Sequence, residues 1–124
     1  MKKLALVSLV VLSAVPASAM AARGPTYLEK VTIMDAFNIP GRSFSSKCVR
    51  IVVSTVDPRW AIVTSPIHTP KACVQAGEEG NGWSLYHRAN PSALHWAHVV
   101  DGDGVPCQLP AAPRRDIFKT TTCG

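Results

Sequence analysis

The sequence has no G-x-S-x-G motif, so the strand-turn-helix nucleophile of that hydrolase class is excluded. No two cysteines fall in a C-x-x-C pair, and the gaps of 24, 33 and 15 residues between Cys48, Cys73, Cys107 and Cys123 do not fit a structural zinc site. No apolar run reaches the ~20 residues that span a bilayer as a helix, which excludes a stable membrane span. No glycine-rich phosphate loop is present, and nothing calls for a cofactor. Acidic residues are few, 8 against 13 Lys and Arg, but the basic residues do not cluster into a groove-reading element, and no nucleic-acid partner is implied.

What is present begins at the N-terminus. Lys2 and Lys3 precede an apolar run, Leu4 to Val15, interrupted only by Ser8 and Ser13. Pro16 ends it, and Ala17, Ser18, Ala19, Met20, Ala21 and Ala22 follow. A short basic start, a short apolar core and a small-x-small site are the features a signal peptidase reads, with cleavage expected after Ala19 or Ala21. No cysteine sits there to take a lipid. The reading is a signal peptide over residues 1–21 and a single small domain over 22–124, secreted or periplasmic. Without Lys2 and Lys3 the balance is 11 basic to 8 acidic residues, a net charge near +3.

All four cysteines lie in the mature part. An even count in a short exported chain implies two disulfides, with three pairings open. A domain of this size has a limited core, and each bridge contributes about 2–4 kcal/mol. Cys48–Cys73 and Cys107–Cys123 follow from the expected hairpins; Cys48–Cys107 with Cys73–Cys123 is the alternative.

Thr26 and Glu29 are spaced as a capping box and predict a helix over 27–37, with Tyr27, Val31, Met34 and Phe37 as its apolar stripe. The β-branched run from Cys48 to Thr55 predicts a strand with Val49, Ile51 and Val53 on one face. Asp57-Pro58 predicts a turn and Trp60 to Ser65 the returning strand. Residues 66–82 show no period; with Glu78, Glu79, Gly77, Gly80 and Gly82 they form the stretch expected to be most mobile. Trp83–Arg88 and Leu94–Val100 predict a second hairpin about Asn90-Pro91-Ser92. Pro113 is placed at the first position of a short helix running to Phe118.

The expected architecture is α+β: one N-terminal helix packed on a four-stranded antiparallel sheet of two hairpins, held by two disulfides. In element order it resembles the cystatin-like and nuclear-transport-factor-like helix-on-sheet arrangements. That resemblance implies an architecture and no function, because no motif carries it.

Candidate site residues are few. Trp60, Trp83 and Trp96 are either core residues or, for one of them, an exposed partner anchor. Arg114 and Arg115, with Lys119, form the one basic cluster and suit an acidic envelope surface. His68, His87, His95 and His98 supply potential bases, with His87 and His95 on facing strands. Asp101-Gly102-Asp103-Gly104 is too short of later acids for a calcium loop and reads as a turn after a strand. Two functions follow. The first is a secreted or envelope-associated binding protein whose partner is an unknown protein or envelope component. The second is a small secreted hydrolase using a sheet histidine with a carboxylate. No metal site is assigned, and no catalytic residue is named beyond that pair.

Overall fold

The computed structural model describes residues 22–38, 45–64, 73 and 82–124. The expected signal peptide, His68 and the acidic pair Glu78 and Glu79 lie outside the described residues.

One N-terminal helix packs on a four-stranded antiparallel sheet, and two disulfides cross-link the chain. Helix α1 spans Tyr27–Phe37 and the strands are β1 (Arg50–Val53), β2 (Trp60–Thr64), β3 (Trp83–His87) and β4 (Ala97–Gly102). A 3-10 turn, Ser46–Cys48, leads into β1, which is why that strand starts two residues later than the β-branched run suggests. The sheet order is β1-β2-β3-β4, so every strand pairs with its sequence neighbour.

The turns form where their chemistry directs. Asp57 accepts the amide of Trp60 on its carbonyl at 3.1 Å, with Pro58 supplying the fixed φ between them. Asn90 Oδ1 accepts both the amide and the hydroxyl of Ser92, at 3.0 and 2.9 Å. Strand β4 runs later than expected: Asp101 and Gly102 pair with Ser84 and Trp83 instead of forming a turn. The register shifts by one residue between Leu85 and Tyr86, and Val99 is the extra residue on β4. His95 and Trp96 therefore precede the strand.

Alternation divides the sheet into two apolar faces. Ile51, Val53, Ala61, Val63 and Tyr86 pack with Ile33, Met34 and Phe37 of α1 and with Trp96. Ile62, Leu85 and Trp83 point the other way, onto Leu109 and the half-buried Trp60, Val100, Ile117 and Phe118. Ile117 and Phe118 belong to a second helix, α2 (Ala111–Phe118), so both faces of the sheet are covered. This second layer is absent from the sequence reading. Pro113 is the third residue of α2, not its first; a missing N–H anywhere in the first turn breaks no helical hydrogen bond. Lys119 closes the helix in the left-handed region, φ 62°, where its Nζ donates to Asp116 O at 2.8 Å.

The stripe of α1 is also rephased. Ile33, Met34 and Phe37 are buried, but Tyr27 is 83% exposed and Val31 is exposed, while Glu29 lies inside at 5%. The disulfides are Cys48–Cys73 and Cys107–Cys123, with Cα–Cα distances of 5.5 and 5.1 Å, and the alternative pairing is excluded.

Candidate functional site

Among the described residues the buried charges sit in two places. At the start of α1, Thr26 accepts the Glu29 amide on its hydroxyl and its own amide donates to Glu29 Oε1 at 2.8 Å, completing the capping box. The same carboxylate takes three more hydrogen bonds. Arg23 Nη1 and Nη2 donate to Oε1 and Oε2 at 2.6 and 3.0 Å, and Arg88 Nη2 donates to Oε2 at 2.6 Å. Burial pushes the Glu29 carboxyl up, but Arg23, the Thr26 amide and Arg88 outweigh it and hold it at about 2. Arg88, 4% exposed, also donates to Pro58 O at 3.0 Å, and its guanidinium stacks 4.3 Å from the centre of the Trp96 ring. Trp96 Nε1 donates in turn to Thr32 Oγ1 at 3.1 Å on α1. One network thus joins residue 23, α1, the β1–β2 turn and the segment before β4.

The second buried charge is Asp116 of α2. It accepts from the Ser54 hydroxyl at 2.9 Å, the Thr55 amide at 2.7 Å and the Thr55 hydroxyl at 3.1 Å. These bonds fasten α2 to the end of β1. Glu29 and Asp116 are both buried and held by protein donors, which suits a structural role.

The hydrolase reading needs a histidine between a hydroxyl and a carboxylate. On β3 and β4 the structure assembles those groups in another order. Ser84 donates to Asp101 Oδ1 at 2.5 Å, and His98 Nε2 lies 2.8 Å from that same oxygen. The carboxylate is central, the serine proton is directed at it, and the histidine is not bonded to the serine. The His98 and Asp101 side chains are 46% and 60% exposed, so nothing excludes water from them. The histidines named from the sequence are not joined: His87 pairs across the sheet with Ala97 and stacks against Trp60 at 4.3 Å, and His95 is exposed before β4. Among the described residues no three His, Cys, Asp or Glu side chains are grouped to hold a metal ion.

The tryptophans serve as core. Trp83 is buried, donates to Gly104 O at 2.8 Å and meets the edge of Phe118. A Cβ on Gly102 would stand 3.1 Å from the Trp83 ring, which explains a glycine within β4. Trp60 is half-buried, and its Nε1 is enclosed with no acceptor among the described residues. Trp96 is buried, and Trp60 is the one of the three with part of its surface open. Arg114 is likewise committed inward, donating to the carbonyls of Pro106, Leu109, Cys107 and Thr121 and organising the segment that Cys107–Cys123 closes. Arg115 is exposed.

The sequence reading missed Arg23, Arg88 and Asp116. Only Glu29 carried a signal, through the capping box, and that signal concerned the helix start alone.

No family model, curated protein or solved structure matches the chain, so the resemblance in element order has no matched structure beside it. No helix among the described residues is long and apolar enough to cross a membrane.

Proposed function

We propose that the protein is exported, cut after Ala19 or Ala21, and acts outside the cytoplasm as a rigid binding module for a protein or envelope component, not as a hydrolase. The observation that supports this most is the order of the Ser84, Asp101 and His98 contacts, in which the carboxylate intercepts the serine proton that a base would have to take. Export rests on the n-region at Lys2 and Lys3, the apolar run and the small residues after Pro16. Two disulfides and two covered sheet faces suit a scaffold that presents a fixed surface.

The test uses oxidised mature protein as bait on the native secreted fraction, with intact-mass measurement of the recovered chain. The expected result is an N-terminus at Met20 or Ala22 and a partner that is released when both disulfides are reduced. A recovered mass that retains Met1 to Ala19 would refute export. Hydrolysis of an ester or glycoside panel that His98→Ala abolishes would refute the binding reading.

A further inference from the structure

Beside the Glu29 network lies an open groove of about 260 Å³, between the start of α1 and the Asn90–Leu94 turn. Three of its wall residues are charged: Arg23, Arg88 and Glu29. Two guanidinium groups against one carboxylate leave a surplus of one positive charge. Glu29 is already served by four hydrogen bonds, Arg23 Nη1 also donates to Gly24 O at 3.1 Å and Arg88 Nε to Pro58 O at 3.0 Å, and among the described residues no second carboxylate pairs with either guanidinium; the Arg23 side chain, 37% exposed, is the more accessible of the two. The nearest acceptor to Arg88 Nη1, Ala93 O, stands at the 3.5 Å limit of a hydrogen bond. At this end of α1 the amides of Thr26 and Glu29 are taken up by the capping box.

The lips of the groove are apolar. Leu28 is 53% exposed and Leu94 60% exposed, and they approach the cationic floor from the two sides, α1 and the turn. The volume is below the ~300 Å³ at which pockets for drug-sized ligands begin. It therefore suits a single residue, not a peptide running through. One residue that brings both a carboxylate and an aliphatic side chain is a C-terminal Leu, Ile or Val with its free α-carboxylate.

We infer that this groove captures the aliphatic C-terminal residue of a partner polypeptide, its carboxylate on the Arg23 and Arg88 side and its side chain between Leu28 and Leu94. The inference rests on the binding-module reading and names the partner chemistry for it. Charge-assisted hydrogen bonds of about 1.5–3 kcal/mol set the selectivity, a factor of about ten or more for the carboxylate over its neutral amide.

The experiment is a titration of the ¹⁵N-labelled, oxidised mature protein followed by amide chemical shifts, with three probes: N-acetyl-leucine, N-acetyl-leucinamide and acetate. Saturable shifts at Leu28, Arg88 and Leu94 with N-acetyl-leucine, at least about tenfold weaker with either other probe, are expected. Leu28→Ser and Leu94→Ser replace exposed side chains, leave the remaining spectrum in place, and each should weaken N-acetyl-leucine binding. Equal response to the amide, shifts located elsewhere, no saturable shift, or unchanged binding in both serine variants would overturn the proposal. A partner from the secreted fraction that binds both serine variants as tightly as the parent would overturn the groove while leaving the binding module standing.

Discussion

Asp116 Oδ2 accepts the hydroxyl of Ser54 at 2.9 Å across 62 residues of sequence, and this contact fixes α2 to the sheet edge. Asp116→Ala would remove the acceptor of the buried Ser54 hydroxyl and one acceptor of the part-buried Thr55. The expected loss is about 2–3 kcal/mol in a urea titration of the oxidised protein, with Asp116→Asn losing less. An unchanged midpoint for Asp116→Ala would show that α2 docks by its apolar contacts alone.

Removing one partner from the other buried network is expected to cost more. Arg88→Met strips Glu29 of a charge partner and Trp96 of its stacked cation, for about 3–5 kcal/mol. Combining it with Glu29→Met should recover part of that loss, because the double variant no longer buries a half-paired carboxylate. A double variant less stable than Arg88→Met would contradict this account.

Glu29 also sets an acid limb. Its carboxyl ionises at about 2 in the folded chain against an ordinary 4.5, so the folded state holds fewer protons and the stabilisation is complete above pH 4.5. It is lost as pH falls from 4.5 towards 2, by about 3 kcal/mol at about 1.4 kcal/mol per unit. Stability curves at several pH values should show that slope in the parent and its flattening in Glu29→Gln.

The Cys107–Cys123 bridge closes a loop of 16 residues that contains α2. Replacing both cysteines by serine should lower stability by about 3 kcal/mol on chain-entropy grounds. The change should be read most strongly by Trp83, whose ring meets Phe118 at the end of that helix. Trp83 fluorescence that is indifferent to the double replacement would show α2 held without the bridge.

Much of the architecture is legible from local chemistry. The capping box at Thr26 and Glu29, the Asp57-Pro58 turn and the β-branched run before it each act within a few residues, and each produces the element expected. The short helix ending at Phe118 was legible from Pro113, but its packing as a second layer on the sheet was not. Ala111–Phe118 carries a proline in its first turn and a buried acid, and its two large apolar residues, Ile117 and Phe118, are adjacent at its end, so no apolar stripe marks it. The acid is inside because Ser54 and Thr55 meet it, and nothing near Asp116 in sequence announces them. Glu29 misleads in the same way. Its distant partner, Arg88, turns a solvent-type residue into a core one and displaces Tyr27 outward. The end of β4 was misplaced because Asp101-Gly102 has turn composition, whereas Gly102 is there to clear the Trp83 ring.

A sheet whose strands pair only with their sequence neighbours also has a kinetic side. Such a meander assembles by successive closures between sequence neighbours, a topology associated with faster barrier crossing than one built on distant pairings. The contacts that span the chain, Glu29 to Arg88 and Asp116 to Ser54, bring the terminal helices onto a sheet that can already exist. Substitutions at these charges should therefore act mainly by accelerating unfolding, and those at Ile62 or Leu85 by slowing folding.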